Sequence, residues 1–286
     1  MVPDIVIHAA AAAAYAGLAW HFWRTRWRAL PAGTPPPLPG TRPWERVALV
    51  APLALHAHLL YSALFAPEGL RFGFAHALST MVWLAVLFYW FESLFYDLDG
   101  MQAPALALAT LAVPLPALFP GRASGTLAAS LEFKLHLAMA MLAYSLFTLA
   151  ILHALLMAVL ERRLHRSPSG AGASMLQGPL GALPPLLTLE RLLFRLIAAA
   201  FVLLTCTLAT GIAFSESLFG RALNFNHKTL FAILSWLTFA VLLVGRYYYG
   251  WRGRTALRFT LAGFVMLLLA YVGSRFVLEV ILGRGA

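Results

Sequence analysis

Long apolar runs, separated by short polar, proline-rich or glycine-rich breaks, dominate this chain. Most runs are about 18 residues or longer with almost no charge, the length at which a helix crosses roughly 30 Å of hydrocarbon. The pattern predicts eight membrane-spanning helices, at 4–22, 46–65, 72–91, 102–119, 135–160, 193–214, 228–245 and 257–280. Because such runs are too long for barrel strands, the predicted fold class is all-α. We expect a polytopic integral membrane protein with a single transmembrane domain over 1–286.

Two intervals depart from the simple alternation of spans and loops. The longest, 161–192, begins with ERRLHR and continues through a Gly/Ser-rich piece. Its last part, LPPLLTLERLLFR, predicts a short amphipathic surface helix before the sixth span. In the fourth span, Pro114 and Pro116 predict a bend, because proline removes a backbone donor from a helix.

The distribution of charge predicts the orientation of the chain. The formal net charge is +10, which alone could suggest nucleic acid as a partner. However, 14 of the 21 Lys and Arg residues lie in the loops after spans one, five and seven. Basic loops of this kind are typical of the cytoplasmic side of a membrane. The sequence therefore predicts an N-out/C-out topology with membrane lipid as a partner, and no nucleic-acid partner.

Signatures of common enzymes and transporters are missing from the sequence. There is no glycine-rich phosphate loop, no H-E-x-x-H and no G-x-S-x-G. Paired interrupted spans, which mark many secondary transporters, are not evident either. We therefore expect a protein that is not an enzyme in its own right.

Histidines near the predicted outer surface are the strongest candidates for binding chemistry. His136 and His227 lie at the outer starts of spans five and seven, and His76 lies about one turn into span three from the same side. Two imidazoles at one depth on different helices can supply both axial ligands of a haem iron. His136 and His227 are therefore the predicted axial pair for a non-covalent b-type haem. Nearby cations that could pair with its propionates are Lys134, Arg221, Lys228 and Arg275.

Each candidate also has a purely structural interpretation. A histidine in a span often hydrogen-bonds a neighbouring helix, and one at the surface is at home among lipid headgroups. Arg275 could pair with Glu279 one turn further on, or extend its side chain to the interface.

The second half of the chain resembles a known family. In KLHLAMAMLAYSLFTLA, His136 precedes Tyr144 by eight residues, the spacing found in CcsA-type cytochrome c assembly proteins. The stretch LPPLLTLERLLFRLIAAAFVLLTCTLATG and the loop GWRGR are similar to segments of the same family. The resemblance covers about 130–280 and implies a haem-handling protein of the bacterial inner membrane. It implies that His136 is the external ligand of that family.

The resemblance has clear departures, which favour the YpjD/HemX-like branch. Family members carry an external Trp-rich tract that ends in Trp-Asp-Pro-Lys-Glu, whereas this chain has SESLFGRALNFNHK. Phe225, Asn226 and His227 replace its Trp, Asp and Pro, and Lys228 is kept. A family histidine after the last helix is missing from the tail GRGA, and an inner-side histidine falls at Gly245. His227 could supply the lost second ligand from a new position.

Two other functions stay open at this stage. A membrane regulator or scaffold, such as a HemX-like regulator of a haem-biosynthesis enzyme, would present the basic interval 161–192 to a protein partner. A transporter of a small molecule or metal ion would line its path with His56 or His58. These two side chains point in nearly opposite directions around their helix, so only one can face a shared site.

Overall fold

The computed structural model describes residues 2–27, 41–65, 70–98, 100–121, 130–166, 186–219 and 226–283. Seven helices in these ranges are long and apolar enough to cross a membrane, which confirms the all-α, polytopic fold class. The helices in chain order are α1 Val2–Phe22, α2 Pro43–Leu64, α3 Phe74–Phe95, α4 Gln102–Ala112, α5 Leu115–Leu118, α6 Leu131–Arg166, α7 Leu186–Phe219, α8 His227–Tyr249 and α9 Gly253–Ile281.

The predicted fourth span is a shorter, interrupted element. It consists of α4 and α5, which together cover Gln102–Leu118. The interruption lies at Pro114, which precedes α5, while Pro116 occupies its first turn. The prolines therefore break this span as predicted, because neither ring nitrogen can donate to the helical ladder.

The predicted amphipathic surface helix is not a separate element. Its described residues form the first turns of α7, which runs without a break for 34 residues. Leu, Glu and Arg are strong helix formers, and no breaker separates Leu186 from the apolar part of the helix. Glu190 is buried here against Arg246 of α8 rather than lying on a membrane surface. Residues 167–185 of the predicted partner surface 161–192 lie outside the described part of the chain.

Helix α6 lies at the centre of the bundle. It packs against α3, α7 and α9, while α1 packs against α2 and α4 on the other side of α3. Phe147 of α6 stacks on Phe239 of α8 with ring centroids 3.9 Å apart. Both rings are fully buried, so this contact joins the second half of the bundle through its core.

Two π-helical turns interrupt α9, at Leu269–Gly273 and Val277–Ile281. A π turn disturbs the regular ladder of backbone hydrogen bonds and is frequent at functional sites. Two residues before the first turn, the carbonyl of Leu267 accepts a hydrogen bond of 2.6 Å from the hydroxyl of Tyr144. The motif tyrosine of α6 therefore supports the backbone of α9 at its irregular point.

A buried carboxylate fixes the end of the first hairpin. Glu45, at the start of α2, lies 2.9 Å from the imidazole of His21 and 3.3 Å from the guanidinium of Arg26. It also accepts a bond of 2.7 Å from the backbone N–H of Arg42. Because its oxygens are fully used in this way, the carboxylate can be buried without an unpaired charge.

Candidate haem-ligand site

His136 lies in the second turn of α6 and is half-buried against α7. Its Nδ1 is 2.9 Å from the hydroxyl of Thr210, and the ring of Phe214 meets it edge-on at 6.1 Å. Gly211 leaves room for the imidazole, since a Cβ at that position would lie 3.4 Å from His136 Cε1. Thr210 and Gly211 of α7 therefore form the surface against which this imidazole packs.

The contacts of the Thr210 hydroxyl favour one of the two tautomers of the His136 imidazole. The hydroxyl has a single hydrogen and donates it to the backbone carbonyls of Cys206 and Thr207, at 2.9 and 3.1 Å. With its hydrogen directed to these carbonyls, the hydroxyl accepts from His136 and Nδ1 is the N–H donor, whereas a hydroxyl turned towards Nδ1 would give the other tautomer. The lone pair of Nε2 is then available for a metal. Metal-binding histidines are usually held in this way, with the other ring nitrogen donating to an oxygen.

His227 is the first residue of α8 and is exposed. The helix begins here because the side chain of Asn226 accepts a hydrogen bond of 3.0 Å from the backbone N–H of Thr229. The Nε2 of His227 lies 3.2 Å from the hydroxyl of Ser274 in α9. The Asn-His-Lys start of this helix thus combines a helix cap with a histidine held by the neighbouring helix.

His227, Lys228, Ser274 and Arg275 are brought together at one end of α8 and α9. Lys228 follows His227 in the chain and is half-buried, and Arg275 follows the partner of His227. The guanidinium of Arg275 lies 3.9 Å from Glu279 and 5.9 Å from the ring centre of Tyr271. The pairing with Glu279 that the sequence left open is therefore present.

His76 lies at the neighbouring end of α3 and is buried. Its Nδ1 has no hydrogen-bond partner among the described residues. The start of α3 is joined to α9, because the backbone N–H of Phe74 donates to Glu279 over 3.3 Å. His76 is thus associated with the α9 end of the site.

The predicted pair His136 and His227 have different partners in the structure. One imidazole is held by α7 and the other by α9. No hydrogen bond or ring contact in the described ranges joins the two rings, so the bis-histidine pair stays a prediction. Of the predicted cations, Arg221 lies outside the described residues, and Lys134 is exposed in the first turn of α6.

The histidines of α2 occupy opposite environments. His56 is buried and its Nε2 lies 2.8 Å from the hydroxyl of Ser79 in α3. The ring of Tyr15 meets it edge-on at 5.8 Å. His58 is exposed on the outside of the bundle. Only one of the two faces the interior, as their spacing requires.

The position of the missing inner-side histidine is filled by a tryptophan. Gly250 adopts the left-handed conformation, with φ of 64°, and ends α8. The chain then folds back so that the indole of Trp251 packs directly on Gly245, where any Cβ would collide with it. The described structure therefore has no room for an imidazole at residue 245.

Sequence reasoning missed a buried acid–histidine pair. Glu92 lies one residue beyond the predicted third span, 72–91, but α3 continues to Phe95 and includes it. Its Oε2 lies 3.4 Å from Nε2 of His153 on α6, and both side chains are largely buried. The sequence signal for this pair is weak. A single acid directly after an apolar run is normally counted as a residue of the following loop, and so as exposed.

Comparison with known proteins identifies the family. The family described as Cytochrome C assembly protein matches residues 46–282. The chain belongs to this family. The match includes α2 to α5, where the sequence showed only apolar helices of the right number.

The chain is similar to several curated proteins. The chain is 33% identical to the Inner membrane protein YpjD of Escherichia coli K12 over 61% of its own length and 63% of that protein. It is 35% identical to a 28.8 kDa protein of Azospirillum brasilense over 62% of its own length and 61% of that protein. It is also 36% identical to the Cytochrome c biogenesis protein CcsA of Prochlorococcus marinus MIT 9515, over 31% of its own length and 28% of that protein.

These similarities establish the class and the location of this family member. The chain spans less than two thirds of the length of the curated relatives it matches. No solved structure matches it. Seven apolar helices and an inner-membrane relative identify a multi-pass protein of the bacterial inner membrane. The resemblance to the YpjD-like and CcsA-type proteins is confirmed, while the N-out/C-out orientation stays a prediction.

Proposed function

We propose that this protein binds a b-type haem non-covalently, with His136 as one axial ligand. The observation that carries the proposal is the 2.9 Å contact between His136 Nδ1 and the Thr210 hydroxyl, which in the favoured tautomer leaves the Nε2 lone pair for iron. Iron–histidine ligation in proteins commonly uses one ring nitrogen while the other donates to the protein. The half-buried position against Phe214 also offers the apolar surroundings that keep a macrocycle dry.

His227 is the proposed second ligand, with His76 as the other candidate. His227 lies beside Lys228 and near Arg275, two cations suited to haem propionates. His136 is held between α6 and α7, and His227 between α8 and α9. Ligation by both histidines therefore requires the haem to lie between these two pairs of helices. His136 and His227 would then hold the haem from two different walls, and no hydrogen bond or ring contact in the described part of the chain joins their imidazoles.

The biological role follows from the family and from what this member lacks. Its CcsA relatives are named for cytochrome c biogenesis, which supports a haem-handling role in the same process. The missing Trp-rich tract argues for holding or passing on haem rather than displaying it to an apocytochrome. In this role the protein needs no catalytic group and is not an enzyme in its own right.

Absorption spectroscopy of the purified protein tests this function. Spectra of the oxidised and reduced protein are compared with those of the His136→Ala/His227→Ala variant. The control is His58→Ala, which removes an exposed histidine from the outside of the bundle. We expect a Soret band and sharp reduced α and β bands that are lost in the double variant and kept in the control.

Two results would contradict the proposal. A full Soret band in the double variant would place the ligands elsewhere, with His76 the next to substitute. A colourless protein that takes up no added haem would favour the regulator or scaffold function instead. The partner would then be sought by pull-down with and without the interval 161–192.

A further inference from the structure

A cavity of about 340 Å³ lies at the basic end of the bundle, between α6, α7 and the start of α9. Small residues create the space: Ala154 and Ala158 on α6 face Gly253 and Ala256 on α9. The volume is near the lower end of the roughly 300–1,000 Å³ that small-molecule sites occupy. The cavity is distinct from the histidine site, since no histidine belongs to its described lining.

The interior of the cavity is apolar. Met157, Leu193, Phe194 and Leu257 form its walls together with the small residues. Exposed tyrosine residues are typical of the depth of lipid headgroups. Three of them, Tyr247–Tyr249, immediately precede the loop that connects α8 to the cavity, so we place the mouth of the cavity at this depth. An occupant therefore needs an apolar part for the walls and a polar part for the membrane surface.

The charged residues that line the cavity are Glu161, Glu190 and Arg252. Glu190 contacts Arg252 and also Arg246, and Glu161 lies 3.9 Å from Arg254. Arg246 and Arg254 lie outside the lining, so the excess of three arginines over two carboxylates arises only when these neighbours are included. The side chains of Arg252 and Arg254 are 61% and 76% exposed, so both retain N–H donors that are accessible to a further partner.

The start of α9 adds to this positive potential. A helix N-terminus presents unpaired backbone N–H groups and is normally balanced by acidic residues in its first turn. The first turn of α9 contains no acid and instead carries Arg254, two residues after Arg252 at the N-cap. This end of the helix therefore favours an anion from outside the chain.

We infer that the cavity binds an anionic phospholipid, with one acyl chain between α6, α7 and α9 and the phosphate against Arg252 and Arg254. Arginine pairs well with phosphate because its planar fork can donate two parallel hydrogen bonds. Basic pockets between transmembrane helices on the cytoplasmic side are typical sites for acidic headgroups. The site requires no haem and does not depend on the function proposed above.

Native mass spectrometry of the full-length protein in detergent tests the headgroup part of the site. The protein is offered dioleoylphosphatidylglycerol or dioleoylphosphatidylcholine, and the bound fraction of each is measured. We expect preferential retention of the glycerol lipid, falling by about fivefold for each arginine removed in Arg252→Gln/Arg254→Gln. This variant should fold, because Glu190 keeps Arg246.

A matched control separates the site from general charge effects. Arg24→Gln removes an exposed cation two residues after the end of α1, and no residue of α1 or of this turn belongs to the described lining of the cavity. We expect this control to retain the glycerol lipid as the wild type does. Equal retention of the two lipids by the wild type, or an equal loss in the control, would overturn the inference.

A second pair of variants tests the acyl-chain part of the site. Ala158→Leu should fill the cavity and lower retention of both lipids, while Ala158→Ser should leave it unchanged. Unchanged lipid retention in Ala158→Leu would show that the chain lies elsewhere. If added haem displaced the glycerol lipid from the wild type and itself required Arg252 and Arg254, the cavity would be a haem site and the lipid assignment would be wrong.

Discussion

The Nδ1 of His136 and the hydroxyl of Thr210 lie 2.9 Å apart and join α6 to α7. Because the hydroxyl also lies within bonding distance of carbonyls of its own helix, it can accept from Nδ1–H and so orient the imidazole. The threonine therefore acts on the proposed iron ligand without touching the iron. It links the two sequence features that most resemble the family, the histidine helix and the Thr-Gly exit.

Replacing Thr210 by valine should weaken haem binding while keeping the shape of the side chain. We expect haem affinity to fall by about 10- to 100-fold, the usual effect of removing the partner of a metal-binding histidine. Haem titration followed at the Soret band measures the change. Thr207→Val is the control, because the Thr207 hydroxyl donates to Leu203 of its own helix and not to His136. Equal affinities in the wild type and Thr210→Val would contradict a positioning role.

The sequence predicted the helices far better than the contacts between them. Apolar run length located the seven long spans, and the prolines located the break near Pro114. Run length failed at the ends, because α3 and α7 continue through charged residues that are paired inside the protein. Glu92 with His153, and Glu190 with Arg246, have partners more than 50 positions away in the chain. Such pairings depend on packing and have no local signal.

For the site, the sequence identified His136, His227 and Arg275 but not what holds them. Thr210 and Ser274 are ordinary hydroxyl residues in apolar helices, and nothing local distinguishes them from those that bond only to their own helix. The resemblance to the family did place His136 in a helix of the right kind. It could not show that Trp251 fills the space beside Gly245, since this depends on the fold-back of the loop after α8.

The contact of Gly245 with Trp251 should be detectable as a coupling between the two positions. Gly245→Leu should lower the apparent Tm because its side chain collides with the indole, and overpacking typically costs about 1–3 kcal/mol. In Gly245→Leu/Trp251→Ala the indole is gone and the leucine can occupy its space. We expect the double variant to be more stable than the sum of the single effects, by a coupling of about 0.5–3 kcal/mol.

The apparent Tm values of the wild type, the two single variants and the double variant, measured by thermal unfolding in detergent, form a double-mutant cycle. A substitution at Gly17 is the control. Gly17 has nothing within 4 Å of a Cβ built on it, so Gly17→Leu should not lower the apparent Tm. Strict additivity of Gly245→Leu and Trp251→Ala would show that the two residues do not share space.

Glu279 should stabilise the bundle through two separate contacts. It is the ionic partner of Arg275 and it accepts the backbone N–H of Phe74. Glu279→Gln keeps an acceptor for Phe74 but loses the charge, whereas Glu279→Ala loses both. We expect the alanine variant to be the less stable of the two, with a loss of about 1–3 kcal/mol relative to the wild type. Glu132→Ala, at an exposed acid in the first turn of α6, is the control for apparent Tm. A wild-type Tm for Glu279→Ala would contradict both contacts.

The buried pair of Glu92 and His153 predicts an unusual pattern of stabilities. The Nδ1 of His153 is 3.0 Å from the carbonyl of Leu149 and donates to it, so in a neutral ring Nε2 faces Glu92 as an acceptor. Glu92→Gln can supply an N–H to this nitrogen and should have an apparent Tm close to that of the wild type. Glu92→Leu leaves the buried Nε2 of His153 without a partner and should lower the free energy of unfolding by about 1–3 kcal/mol. His153→Leu leaves the carboxyl group of Glu92 without a partner and should have a similar cost. Replacing both partners at once removes the unpaired polar groups, so Glu92→Leu/His153→Leu should be more stable than either single leucine variant. Thermal unfolding of the four variants in one detergent checks this pattern. If the loss of stability in the double variant equalled the sum of the losses in the two single leucine variants, the two side chains would act independently.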